Sequence, residues 1–491
     1  MNSGPGPWGP AGALRGERLT FGHQHHAQVR SHTTALEAIA HEPTLVNLSR
    51  IETWDWGWGG LLLFSILLFF RPQDQVPGLG AAHLSDVSAL VGLTAMVALN
   101  LGRKEPITRV TPELIGVAAF GAVILLTIPT SLWPGGSFAV FRFLYIQVAL
   151  IFMLMVNSVT SPRRVERICW VIVLAFGYIS ARVIFDYLRG VSLVEGDRAS
   201  GPVGGFFENP NDLALNLVSF LPLALMYLKR RGSFLKRVFC AGIALLMMIA
   251  IVLTKSRGGL LGFVAMAVVF LLVSRSLTPT TMIGLMLSGM VAVPLMGPAF
   301  WSRMESIVDG SKDPTGSREQ RREVMKLAWN VFLDYPLTGV GAGQFQIYEG
   351  PGGVHEWRET HNVLLQVASE LGIFGLMAFT YLIWRGFKGA WQTHRELAWI
   401  YRVRTRRRDQ PAPDPEDGLD EDDREFLQTH GAAMFAAMTG WLVCAMFASV
   451  ALNWTFYYLL GLSVTAYGVV RNRRAAYAKA KRLASQGVAV A

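Results

Sequence analysis

Charge is scarce in this sequence. Of its 491 residues, 16% are Asp, Glu, Lys or Arg while 52% are hydrophobic, and the mean hydropathy is +0.35. A soluble domain of ordinary composition is about a quarter charged, so the chain reads as an all-α, polytopic integral membrane protein. Cysteine is scarcer still. Cys169, Cys240 and Cys444 each fall inside an apolar run, where a thiol packs as a small hydrophobe, so neither a disulfide framework nor a thiolate metal site follows. Residues 1–50 are polar and lack the compact apolar core of a cleavable signal peptide, so the first spanning segment is expected to do the targeting. The formal net charge of +10 is concentrated in loops. Its densest run, "RVRTRRR" at Arg402–Arg408, carries no interleaved aromatics and is followed at once by acidic "PDPEDGLDEDDRE", which argues against a nucleic-acid partner and for a solvated loop.

Long apolar runs are abundant. A helix crossing the bilayer needs about 20 apolar residues, and twelve such runs recur between Trp56–Phe70 and Trp454–Val470. They divide the chain into a polar N-terminal extension at 1–53, expected to be disordered, nine spans within 54–299, a loop at 300–361, a tenth span at 362–385, a charged loop at 386–430, two spans within 431–470 and a basic tail at 471–491. Lys and Arg are retained on the cytoplasmic side of short loops. With the N-terminus inside, the inner loops collect Arg103, Lys104, Arg109, Arg163, Arg164, Lys229 to Arg231, Lys236 and Arg237. Both termini are therefore expected in the cytoplasm, and the long loop in the periplasm. The stretch "HQHH" at His23–His26 lies in a Gly- and Pro-rich polar segment, where adventitious metal binding is the less favoured reading beside simple disorder.

Three strongly polar groups then stand at the outer ends of separate helices: Arg198 in "EGDRASGPVGGFFENPNDLA", Arg257 in "TKSRGGLLG", and His361 in "ETHNVLLQVASELGIFG". Each has an ordinary explanation. Arg257 is placed to snorkel, Arg198 to pair with Asp197 or Glu195, and His361 to cap a helix. The long loop weighs against three coincidences, since it exceeds what a connection requires. Within it, Ser317 and Gln320 form a capping-box start, and Val324, Leu327, Ala328, Val331 and Phe332 recur on one helical face. After Pro336 comes a turn with Gly339, Gly341 and Gly343, a pattern that bares backbone N–H groups for an anion as well as serving ordinary loops. Asn211 in "ENPND" is expected to cap the following helix, and Glu370, deep in an apolar run, to be paired.

Taken together, "RREVMKLAWNVFLDYPLTGVGAGQF", "HNVLLQVASELGIFG", "KSRGG" and "FFENPNDLA", in their order along the chain, resemble the O-antigen ligase and polysaccharide polymerase superfamily. The resemblance spans roughly residues 198–375 and implies a twelve-helix enzyme of the bacterial inner membrane. It further implies a metal-independent, cofactor-free glycosyltransferase with a periplasmic site that draws a glycan from undecaprenyl diphosphate. Arg198 and Arg257, with Arg321 in the loop helix, would hold the diphosphate. His361 would be catalytic. Arginine forks bind phosphate bidentately and more strongly as the leaving group gains charge, and a histidine with an ordinary pKa of about 6.5 is suited to take the proton of an attacking hydroxyl. Asn362 and Gln366 would orient the histidine or bond sugar hydroxyls, with Gly341 and Gly343 as secondary contacts.

The acceptor stays open between lipid A core, a second lipid-linked glycan and a protein hydroxyl, with ligase-type transfer favoured by helix count and motif order. From another class, a lipid-linked sugar flippase also needs many helices and phosphate-facing arginines. Its residue support is Arg182 and Asp186 within one apolar run, a spacing that equally suits a helix-stabilising ion pair. The topology carries its own test. A cysteine placed at Gly352 is expected to react with an impermeant thiol reagent from the periplasm and one at Gly418 is not; the reverse pattern would put the proposed site on the wrong side of the membrane.

Overall fold

The computed structural model describes residues 55–76, 78–194, 197–202, 207–230, 232–274, 317–348, 359–406 and 418–486. The expected disordered extension, the ninth apolar run and the centre of the charged inner loop lie outside the described residues. Helices dominate: α1 (Trp56–Phe70), α2 (Leu84–Gly102), α3 (Pro112–Thr127), α4 (Pro134–Ser158, with a π-turn at Phe141–Tyr145) and α5 (Pro162–Leu188) come first. A two-residue hairpin, β1 (Leu193–Val194) with β2 (Arg198–Ala199), leads to α6 (Pro210–Lys229), α7 (Phe234–Leu253) and α8 (Arg257–Val273). After the undescribed segment come α9 (Ser317–Asp334), α10 (Val363–Arg406), α11 (Glu421–Ala445) and α12 (Trp454–Ser485).

Seven helices among the described residues are long and apolar enough to cross a membrane, and α1 and α8 are shorter apolar helices. The protein is thus a multi-pass membrane protein. Side chains such as Leu90, Val91 and Leu101 on α2 and Leu126 on α3 face outward and exposed, a surface that lipid satisfies and water does not. Inside, α11 is the hub. It packs against α6, α8 and α10 and buries Trp441, which stacks on Phe456 of α12 with ring centroids 4.7 Å apart. The flippase-suggesting pair is an i,i+4 ion pair, Arg182 to Asp186 at 3.6 Å.

Local chemistry explains several starts. Thr111 accepts a hydrogen bond from Leu114 N–H, Ser161 from Arg164 N–H and Ser256 from Gly259 N–H, each meeting an orphan donor of a first helical turn. Several boundaries differ from the apolar pattern, among them the last helix, which continues past Val470 to Ser485. The tenth run continues as helix through Arg406, well into the expected loop, and the eleventh stops at Ala445 instead of Ala451. Residues 446–453 form a turn whose apolar members, Phe447, Ala448, Val450 and Ala451, make it read as helix in the sequence.

The loop helix α9 buries Val324, Ala328 and Val331 with Leu327 against Val340, Phe345 and Leu365, the expected face except for Phe332, which lies outside this cluster with its ring 5.6 Å from Trp329. The Gly-rich turn behind it docks on a break in α10, where Gly372 adopts φ +65°. Ile373 N–H donates to Pro336 O at 2.8 Å, and Val340 N–H to Ser369 O at 2.9 Å. A Cβ at Gly372 would sit 2.5 Å from the Leu337 carbonyl carbon and one at Gly339 2.3 Å from that of Glu370, so only glycine lets the backbones meet. Gly372→Ala is expected to lower stability by about 1–3 kcal/mol from the left-handed backbone alone, read as a fall in melting temperature in detergent. Gly468→Ala, whose Cβ would meet nothing within 4 Å, should match wild type or exceed it.

Candidate functional site

Four helix ends and one turn meet where the polar motifs converge. Arg198, on β2, is buried; its Nε donates to Thr254 O at 3.0 Å and its Nη2 to Asn211 Oδ1 at 2.8 Å. Asn211 Oδ1 also accepts from Ser256 Oγ at 2.9 Å, so the β-hairpin is fastened to the starts of both α6 and α8. This corrects the expected cap of α6. Asn209 performs it, accepting from Asn211 N–H at 2.8 Å, which leaves the Asn211 side chain to bridge Arg198 and Ser256. Of the two loop carboxylates expected beside Arg198, Asp197 pairs with Lys255 at 2.5 Å, and Glu195 lies outside the described residues.

Arg257 opens α8 beside that bridge. The next residue, Gly258, lies against Phe447, and its carbonyl accepts from Cys444 Sγ at 3.6 Å. The start of α8 therefore rests on the same turn, 446–453, that holds the histidine segment. Asn362 Nδ2 donates to Met446 O at 3.4 Å, His361 N–H to Ser449 Oγ at 3.0 Å and Ala451 N–H to Gln366 Oε1 at 3.2 Å, while Thr360 Oγ1 and Ser449 Oγ lie 2.8 Å apart. Asp212, in the first turn of α6, is within electrostatic reach of Glu359, closing the ring of elements.

His361 does not cap α10. Asn362 does, its Oδ1 accepting from Leu364 N–H and Leu365 N–H, each at 3.0 Å. His361 stands one residue before, half-buried, at φ +47°, a left-handed conformation that a non-glycine residue adopts only under constraint. Its pKa is lowered to about 4, first by burial, which disfavours the charged ring, and then by the Arg321 guanidinium on α9. The imidazole is accordingly neutral at pH 7.

Two expected contacts change character. Gln366 and Asn362 spend their carbonyl oxygens on backbone N–H groups. Gly341 N–H donates to Glu370 O at 2.8 Å and Gly343 N–H to the Glu370 carboxylate at 2.9 Å, so neither bares an N–H for phosphate. Their function here is to seat the Gly-rich turn, and Glu370 is the partner that holds it. Sequence reasoning missed Ser449 and Thr360 altogether. Ser449 was hidden inside an apolar run, although Asn453 four residues on, whose Oδ1 accepts from Thr455 N–H at 3.1 Å, marks a helix start that an Asx-turn search would find.

Residues 242–380 match the O-Antigen ligase family, a stretch that contains Arg257, Arg321, the Gly-rich turn and His361. Over that stretch, a little over a quarter of its length, the chain is similar to the O-antigen ligase family. Teichuronic acid biosynthesis protein TuaE of Bacillus subtilis (strain 168) is 28% identical over 203 residues, which cover 38% of this chain and 41% of TuaE. The chain thus spans about two fifths of the length of that relative. Among the described residues, no group of three or more His, Cys, Asp and Glu side chains is arranged to hold a metal ion.

The depressed pKa fixes a pH dependence. Between the ordinary value near 6.5 and the folded value of about 4, the unfolded chain binds more protons at this site than the folded one, so the His361 contribution to stability falls as pH drops through that window and is level above it. Activity that needs the neutral ring should hold level from pH 7 down to about 5 and halve near pH 4. In Arg321→Gln, which removes the second cause and leaves burial, the midpoint should move upward; a midpoint unmoved by that substitution would separate Arg321 from the site.

Proposed function

We propose that this protein transfers a glycan from undecaprenyl diphosphate to an acceptor hydroxyl at the periplasmic face of the bacterial inner membrane. The reading keeps the twelve-span plan with a large periplasmic loop and both termini cytoplasmic. The observation that carries it is the neutral imidazole of His361, at a strained backbone position beside Arg321, in a segment held by the same 446–453 turn that seats the Arg257 end of α8. A base next to guanidinium groups suits a displacement in which a diphosphate leaves.

In that reaction the acceptor oxygen attacks the anomeric carbon while its proton passes to the imidazole. The bond from that carbon to the diphosphate oxygen breaks, and undecaprenyl diphosphate departs with the electron pair. Charge grows on the diphosphate as the bond lengthens, so guanidinium groups at Arg257 and Arg321 stabilise the transition state more than the ground state. Arg198 fits the role differently from its sequence reading. With its Nε on Thr254 O and its Nη2 on Asn211, it first of all locks the loops that present Arg257.

Lipid A core is the acceptor that motif order favours. Repeat-unit polymerisation is the second reading, supported by a relative whose name places it in teichuronic acid biosynthesis; protein hydroxyls are the third. Purified protein given an undecaprenyl-diphosphate-linked glycan and each acceptor in turn should turn over with core lipid. Turnover with only a second lipid-linked glycan would make it a polymerase, and movement of the donor across a vesicle membrane without transfer would make it a flippase. Arg257→Lys keeps the charge and loses the fork. It should cut kcat by about 10-fold or more, as losing an oriented charge-assisted contact of about 1.5–3 kcal/mol requires, with the inserted yield unchanged. Near-normal turnover would reduce Arg257 to a membrane anchor.

A further inference from the structure

The turn between α11 and α12 carries a hydroxyl that the transfer reaction as described above does not use. Ser449 Oγ lies 3.0 Å from His361 N and 2.8 Å from Thr360 Oγ1, and Thr360 Oγ1 lies 3.3 Å from Asn362 O. Donor and acceptor roles follow from inventory. The His361 N–H can only donate, so Ser449 Oγ accepts from it; the Asn362 carbonyl can only accept, so Thr360 donates there and receives the Ser449 proton. The chain runs His361 N–H to Ser449 O–H to Thr360 O–H to Asn362 O, a closed clamp around a residue at φ +47°.

We propose that Ser449 is a positioning residue, whose hydroxyl holds His361 in its left-handed conformation and so sets where the imidazole meets the acceptor hydroxyl. Three observations support this beyond the contact itself. A histidine at positive φ costs of order 1–3 kcal/mol and persists only where surroundings fix it, and the Ser449 hydroxyl is the group bonded to that residue's own N–H. The neighbouring turn residues are pinned too: Met446 O takes Asn362 Nδ2 and Ala451 N–H reaches Gln366, so Ser449 sits on a rigid support and not on a loose loop. The turn is also tied to α6, because Asn453 and Asn216 both accept from Thr455 Oγ1, and Asn216 Nδ2 donates to Asp212 O at 2.8 Å. A shift of the α6 start, where Arg198 is fastened, therefore reaches the histidine through the turn.

The inference rests on the reading of His361 as the base, and the experiment keeps the two apart. Transfer per mole of inserted protein is measured with an undecaprenyl-diphosphate-linked glycan and the acceptor that supports wild-type turnover, for Ser449→Ala, Ser449→Thr, His361→Ala and the double variant Ser449→Ala/His361→Ala. Ser449→Ala should lower kcat by about 10- to 100-fold, the scale expected of a misplaced reacting group, with KM for the donor within about 2-fold, since the arginines are untouched. Ser449→Thr, which retains the hydroxyl, should recover at least half of the rate. In the His361→Ala background, the alanine at 449 should cost nothing further.

An unchanged kcat in Ser449→Ala, or an equal fold-loss with and without His361, would overturn the positioning role while leaving the base assignment standing. A fully active His361→Ala would instead remove the base and with it this inference. If Ser449→Ala does not insert, Thr360→Val and Thr360→Ser test the same clamp from its other side. Valine should then lose rate several-fold and serine should not; equal rates for the two would overturn the proposal.

Discussion

Hydrogen bonds between residues 446–453 and residues 360–366 are the constraint on which the rest of the site depends. The histidine segment enters α10 from a stretch outside the described residues, and the Asn362 cap and the turn after α11 fix how it enters. Because the same turn packs on Gly258 and is tied through Thr455 to α6, one short backbone segment sets the relative placement of His361, Arg257 and the Arg198 hairpin. Several of its polar partners are buried, Thr360 and Asn362 among them, and a buried polar group left without its hydrogen bond is costly. That is why a turn of mostly apolar residues behaves as a rigid part.

A second constraint acts from the opposite side. The break at Gly372 lets the Gly-rich turn exchange backbone hydrogen bonds with α10, and Glu370 receives Gly343 N–H from that turn. Through this contact α9, which carries Arg321, is held at a fixed height against α10. Burial first, and Arg321 second, lower the His361 pKa, so the loop helix delivers a cation and adds to the effect that keeps the imidazole neutral. A neutral base among cations is the electrostatic condition that the proposed transfer needs.

Much of this was legible in the sequence, for identifiable reasons. Apolar runs of bilayer length are the strongest pattern a chain can display, and the helices they foretell are present throughout the described residues. The α9 face was readable because Val324, Ala328 and Val331 follow the helical period. His361, Arg257 and Arg198 stood out as strongly polar groups close to apolar segments, and the structure gathers their elements around one turn; Arg321 followed only from the family resemblance. What stayed hidden depends on tertiary contact. Asn209 and Asn211 exchange the capping role because Pro210 sets the first helical turn one residue earlier, which frees the Asn211 side chain for Arg198. The N–H groups of Gly341 and Gly343 looked available for phosphate because nothing local shows that Glu370 takes them. Ser449 was masked by its apolar neighbours.

The central claim is that a lipid diphosphate sits among these arginines with its sugar toward His361. Its most direct test is a structure of the His361→Ala protein in lipid nanodiscs with an undecaprenyl-diphosphate-linked glycan, trapped because the base is absent. The account predicts the diphosphate against Arg257 and Arg321 with the anomeric carbon facing the vacated imidazole position beside Ser449. A donor bound with its diphosphate at the opposite ends of these helices, or with its sugar turned away from residue 361, would contradict it.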